Sequence, residues 1–340
     1  SAIERAATVD AVVAVAREMP VTICTLVEAR VDPIHVSQVV AVTIDTASRR
    51  LLEIGISELG SPPAPWAWLA LGSEARQEQA LLTDQDHALA YDPGEDPDET
   101  VDPYFAKLAS FVTDGLEAVG IRRCRAGVIA SNREWRRPLS EWLLQFRKWM
   151  GDPGRTGSAY TGIAFDFRRV AGPLDAEPVL HEVIRNAPTN AMFMRHLARI
   201  AVDPRPPTGF FRDLVVQPKG AAAGHLDVKH GGVTLVTNLA RFYAIGAGLT
   251  ENRTLQRLRA AAAAGRIDEE TRAALEEAFR LLWQIRLEHQ SSQVRRGATP
   301  DDDVEPGSLG PLTRQGLKEA FRIIDEAQRA VAAEPGIRGR

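Results

Sequence analysis

Read for the spacing of its apolar positions, the chain divides into three stretches. Over residues 1–60 the pattern is helical: Val9–Met19 is rich in Ala and Val and stops at Pro20, and Ser37–Leu59 resumes the helical period. The run Ser61-Pro62-Pro63-Ala64-Pro65 cannot continue a helix. Beyond it, over residues 61–175, short strands take over. Trp66–Leu71 is a continuous apolar run between Pro65 and Gly72, which predicts a buried strand. Glu74–Leu82 reads as a polar helix and Asp84–Tyr91 as a second strand. A helix over Pro103–Val119, a strand over Arg125–Ala130 and a helical stripe of Trp135, Leu139, Trp142, Phe146 and Trp149 follow. A glycine-rich break at 151–157 leads into a third strand, Gly162–Val170.

From residue 176 to 340 the period is helical again. Leu275, Phe279, Leu282 and Ile285 share one face of a helix that Gly297 is placed to end. Leu317, Phe321 and Ile324 do the same for a last helix over Thr313–Ala333, after an acidic Pro/Gly loop at Thr299–Gly310. The expected class is therefore α+β: an N-terminal helical segment (1–60), a core with a small mixed sheet (61–175) and a helical C-terminal domain (176–340). A length of 340 residues suits that division, being too long for one small core.

Composition narrows the setting. Hydrophobic residues at 44% and charged residues at 25% are ordinary for a soluble protein, and no apolar run reaches the length of a membrane span. Two cysteines, Cys24 and Cys124, build no disulfide framework and no CxxC metal site, so a cytoplasmic setting is expected. The net charge of −4 argues against a nucleic-acid binder, which needs a surplus of Lys and Arg. The seven His show no zinc spacing. The start at Ser1 rather than Met reads as a piece of a longer protein.

Candidate chemistry concentrates in Trp66–Tyr91. A strand ends in Gly72-Ser73, a helix begins, and Asp84-Gln85-Asp86 follows on the next strand. Gly72 lacks a Cβ, so backbone there can approach a phosphate closely. Ser73 is expected to cap the helix and donate to phosphate, beside the free N–H groups of a helix N-terminus. Side chains alternate along a strand, so Asp84 and Asp86 share a face and Gln85 takes the other, with His87. Two carboxylates so spaced suit a pair of hard cations roughly 3.5–4 Å apart. Asp166, within Ile163–Arg168, supplies a third carboxylate; an Asp in an apolar strand needs a cation partner. Arg168 or Arg169 could be that partner, which is the bland alternative. Asp-x-Asp alone is weak; all three carboxylates in this order are not.

The order Gly72-Ser73, ten residues, Asp84-x-Asp86 resembles the signature of the DNA polymerase β nucleotidyltransferase superfamily. The longer form, Gly72-Ser73-x-x-Arg76-x-Glu78 with Thr83-Asp84-x-Asp86, resembles the branch containing PII-protein uridylyltransferase. Nearer still is a likeness to bacterial nucleotidyltransferase-like proteins found behind cyclic-nucleotide-binding and CBS domains. That likeness extends to Gly127–Asn132 with Trp135, Phe165–Arg168, Leu226-Asp227-x-Lys229-x-Gly231-Gly232, Ile285–Gln290 and Leu317–Phe321. Ala75 departs from the Gly common in relatives.

The resemblance implies a nucleotidyltransferase core followed by a helical substrate-binding domain. It implies transfer of a nucleoside monophosphate from ATP or UTP to an acceptor hydroxyl, on a signalling protein, with two Mg²⁺ ions (Mn²⁺ as substitute) on Asp84, Asp86 and Asp166. Gly72, Ser73, Arg76 and Lys229 are the expected nucleotide contacts, Glu78 orients Arg76, and regulatory domains are expected upstream. Lys229 competes with a plain reading as part of a glycine-rich turn. A nucleotide-sensing module without turnover and a small-molecule nucleotidyltransferase are the alternatives.

Overall fold

The computed structural model describes residues 1–153, 158–208, 214 and 224–337. These fall into two compact units. One gathers Ser1–Leu26, His35–Trp149 and Ala159–Val183, and the other Val27–Ile34, Met150–Ser158 and Ile184–Arg340. Part of the predicted 151–157 break lies outside the described residues.

The first unit opens with helices α1 (Val9–Ala16), α2 (Met19–Glu28) and α3 (Pro33–Leu59). Pro20 does not close a helix; it stands in the first turn of α2, where a missing N–H costs nothing. The remaining elements are β1 (Trp66–Leu71), α4 (Gly72–Arg76), β2 (Asp84–Gln85), β3 (His87–Tyr91), α5 (Asp98–Val119), β4 (Arg122–Arg123), β5 (Arg136–Pro138), α6 (Leu139–Gly151), α7 (Ser158–Ala164), β6 (Phe167–Ala171) and α8 (Glu177–Arg185). Four strands form a mixed sheet in the order β5-β3-β1-β6, with β1 antiparallel to both neighbours and β5 parallel to β3. Strands β2 and β4 pair separately and in parallel.

Every residue of β1 and β3 is buried, so the sheet is covered on both faces, which is why Trp66–Leu71 reads as an unbroken apolar run. The aromatic stripe is part of that cover. Trp142 donates its indole N–H to the Leu89 carbonyl at 3.1 Å, and Phe146 packs on Phe165 and Phe167 with ring centroids 5.1 and 5.5 Å away.

Four predicted elements differ. The Asp84–Tyr91 strand breaks at Asp86 into β2 and β3, and only β3 joins the four-stranded sheet. Helix α4 stops at Arg76 because Gln77 adopts a left-handed φ of 56°. No strand covers 125–130: Gly127 turns at φ 72°, its N–H on the Cys124 carbonyl. The third strand begins only at Phe167; residues to Ala164 complete α7, and Asp166 sits in the bend between.

The second unit contains α9 (Ala191–Val202), β7 (Leu226–Asp227), a π-helical turn (Lys229–Val233), α10 (Thr234–Gly246), α11 (Thr254–Ala263), α12 (Glu269–Arg295), β8 (Asp303–Val304) and α13 (Pro311–Ala333). Leu235–Ile245 of α10 is buried on every side, its polar Thr237, Asn238 and Arg241 included. Its buried Arg241 donates to Asn238 at 2.7 Å. Asp268 caps the start of α12, and Gly297, at φ 71°, follows its end. Part of the acidic loop after it is tied back to that helix. Arg286 donates to Asp302 at 2.6 and 3.2 Å, Gln290 adds 2.7 Å, and His289 meets Asp301 at 2.8 Å. Among the described residues no helix is long and apolar enough to cross a membrane.

Candidate active site

The topology of the first unit brings the candidate residues to one end of the sheet. Strands β3 and β6 both run opposite to β1, so their first residues flank its last ones: His87 pairs with Ala70, and Phe167 with Leu71. Asp86 and Asp166 each precede those partners by one position. Gly72 follows directly on β1. The backbone ties the three together: Leu71 N–H donates to the Asp86 carbonyl at 2.8 Å, and Gly72 N–H to the Asp166 carbonyl at 2.9 Å.

The backbone calls for glycine at position 72. Its φ of 52° lies in the left-handed region, and a Cβ there would come within 3.4 Å of Asp86 Oδ2 and of Ile163. Helix α4 starts at Gly72 with Leu71 at its N-cap and no side-chain cap, so Ser73 lies inside the first turn rather than capping it. The Gly72 N–H is already spent on Asp166, which removes one donor from the anticipated phosphate cradle.

Alternation holds across the break between β2 and β3. Gln85 and His87 are buried and joined, Gln85 Oε1 to His87 Nε2 at 2.9 Å, leaving Asp84 and Asp86 half-exposed. His87 Nδ1 accepts the Ala130 N–H at 3.0 Å, so Nε2 carries the proton and the ring is neutral. Burial pushes its pKa down to about 3, and its ring lies 4.4 Å from that of Trp68. It is a packing residue.

Each candidate carboxylate has a neighbour that the sequence did not announce. Asp166 is fully buried, and its Oδ2 accepts from Arg76 at 2.5 Å; Arg76 also donates to Glu78 at 2.8 Å. The cation that permits a buried Asp166 is thus Arg76, neither Arg168 nor Arg169. Asp84 receives Arg122 at 3.0 Å, across the β2–β4 register that sets those residues side by side. Asp86 is approached by Cys124, whose thiol is pushed up to about 11 by burial and by the Asp86 charge. Glu74 is 1% exposed and takes the Asp86 backbone N–H; burial, then the charges of Asp45 and Asp86, hold its carboxyl well above the usual range. Lys229 belongs to the second unit. It opens the π-helical turn of the second unit, where Asp227 accepts the His230 N–H at 2.8 Å.

Among the described residues no three His, Cys, Asp or Glu side chains form a group that could hold a metal ion, so Asp84, Asp86 and Asp166 are not brought together as one ligand set. A pair of half-exposed carboxylates is nonetheless the donor set that suits Mg²⁺, which binds through one or two carboxylates and completes its shell with water and substrate phosphate. Asp84 and Asp86 fit that description; Asp166, held by Arg76, does so only after an exchange of partners.

Residues 17–156 match the family described as Putative nucleotidyltransferase DUF294. Residues 191–334 match the family described as Putative nucleotidyltransferase substrate binding domain. Asp166 lies between the two matched segments. No curated protein gives a significant match. The two matches follow one another along the chain, the first to a family described as a putative nucleotidyltransferase and the second to its described substrate-binding domain.

Proposed function

We propose that the chain is a Mg²⁺-dependent nucleotidyltransferase that moves a nucleoside monophosphate from ATP or UTP to an acceptor hydroxyl on a signalling protein in the cytoplasm. The observation that supports this reading is that Leu71 and Gly72, at the end of β1, donate to the backbone carbonyls of Asp86 and Asp166, with Asp84 half-exposed like Asp86. Mg²⁺, when bound with the nucleotide, would supply charge neutralisation at the triphosphate and a more acidic acceptor hydroxyl. Asp84 and Asp86 would hold it. The triphosphate would draw Arg76 and Arg122 from their carboxylates, since each is a guanidinium already beside the site. Asp166, so released, would accept the proton of the attacking hydroxyl. Positioning and charge placement would carry most of the rate. The protein acceptor rests on the resemblance to PII-protein uridylyltransferase.

A second reading, a nucleotide sensor without turnover, is favoured by one feature: Asp166 is fully buried and already paired. Labelled ATP and UTP incubated with the protein in cell lysate separate the two. Transfer of label to a macromolecule, lost in Asp84→Asn and Asp86→Asn with circular dichroism unchanged, is the expected result. Nucleotide binding without transfer or pyrophosphate release would leave the sensor, and full activity in Asp84→Asn would remove the site.

A further inference from the structure

The turn that carries Gly72–Arg76 is held from behind by a residue nearly thirty positions upstream of it. Helix α4 is a single turn, and its last carbonyls have few helical partners of their own. Arg168, two residues beyond Asp166, supplies them: its Nε donates to the Ala75 carbonyl at 3.3 Å and its NH2 to the Glu74 carbonyl at 3.2 Å. The same NH2 donates to Asp45 Oδ1 at 2.9 Å. Asp45 lies on α3, is 3% exposed and has its side chain almost wholly out of solvent. Two turns earlier on α3, Ser37 Oγ reaches the Gln77 carbonyl at 3.5 Å. A long helix therefore backs the short one, through a charged clamp that touches backbone rather than any candidate ligand.

We infer that Asp45 is a positioning residue for the nucleotide site: through Arg168 it holds the Gly72–Glu78 turn in the shape that sets Arg76 and Gly72 at the site. The inference rests on the proposed function for what the turn binds, and on the geometry alone for what Asp45 does to the turn. A guanidinium locked at one end by a buried carboxylate keeps its remaining N–H groups in fixed directions. Without that carboxylate Arg168 is free to rotate toward solvent; the Ala75 carbonyl then loses the Arg168 donor, and the Glu74 carbonyl keeps only the Gln77 N–H.

Three variants of the full chain, Asp45→Ala, Arg168→Ala and the double variant, are compared with Asp10→Ala, an exposed control on α1. The first readout is backbone amide exchange over residues 72–78, with β3 as internal reference. Asp45→Ala is expected to speed exchange at the turn at least about tenfold while β3 keeps its protection. The second is binding of ATP and UTP with Mn²⁺ at a temperature where all variants are folded. A dissociation constant or KM raised about tenfold, with kcat less affected, is expected for each single variant, and the double variant is expected to be no worse than Arg168→Ala. Unchanged exchange at the turn, exchange that rises equally in β3, or additive losses in the double variant would each overturn the inference. If the wild-type chain binds no nucleotide, the proposed function falls, and the exchange data still decide whether Asp45 orders the turn.

Discussion

At the scale of single residues, the candidate site depends on groups whose protonation and backbone geometry are set by burial. Two of them bend the pH dependence of stability in opposite directions. His87 has its folded pKa pushed down to about 3 from an ordinary 6.5, so the unfolded chain binds the extra proton. Its contribution is complete above about 6.5 and is lost as pH falls toward 3, at up to about 1.4 kcal/mol for each pH unit. Glu74 is shifted upward, so the folded chain holds the proton, and stability is lost as pH rises above the ordinary 4.5. Denaturant titrations at several pH values should therefore find that His87→Gln flattens the acid limb, and that Glu74→Gln raises stability relative to wild type above pH 4.5. The opposite sign in either variant would contradict the burial argument. Gly72→Ala meets both a φ of 52° and the Asp86 carboxylate at 3.4 Å. It should cost about 1–3 kcal/mol in denaturant midpoint and weaken Mn²⁺ and nucleotide binding together.

At the scale of elements, ion pairs decide which segments stay in place. Arg76 joins the bend before β6 to α4 through Asp166, with side chains 11% and 0% exposed. Arg76→Leu leaves a buried carboxylate without its cation, and a loss of about 3–5 kcal/mol is expected by thermal or chemical unfolding. Arg76→Leu combined with Asp166→Leu should recover much of that stability while abolishing nucleotide binding; failure to recover would mean that the pair is not the dominant contact. In the second unit, Asp302 accepts two hydrogen bonds from Arg286 and one from Gln290, and the Arg286 and Asp302 side chains are 4% and 10% exposed. Asp302→Ala should destabilise that unit by a similar amount and expose the loop after α12 to limited proteolysis. The sequence presents that loop only as an acidic Pro/Gly stretch, because nothing in its composition reveals that α12 places Arg286, His289 and Gln290 along one face to receive it.

At the scale of the whole molecule, the N-terminal helices belong to the unit that holds the candidate site. Val40, Ile44, Leu51 and Leu52 of α3 are at most 1% exposed. A chain beginning at residue 61 loses those core residues together with Asp45. It is expected to lack the cooperative unfolding transition of the first unit and to bind no Mn²⁺·nucleotide, as circular dichroism and binding titrations would register; retention of both would separate the N-terminal helices from the site.

By itself the sequence determined the apolar run of β1, the alternation that sets Asp84 and Asp86 opposite Gln85 and His87, the order of the acidic positions and the helical character of the C-terminal half. These are local properties, written in spacings of two and of three to four residues. Only the tertiary structure decided that Arg76 meets Asp166 across 90 positions and that Arg168 meets Asp45 across 123. It alone decided, too, that the buried Glu74 lies against the Asp86 backbone. Long-range pairing depends on which strand ends the sheet brings side by side, and on how deeply each charge is withdrawn from water. Neither quantity has a period along the chain.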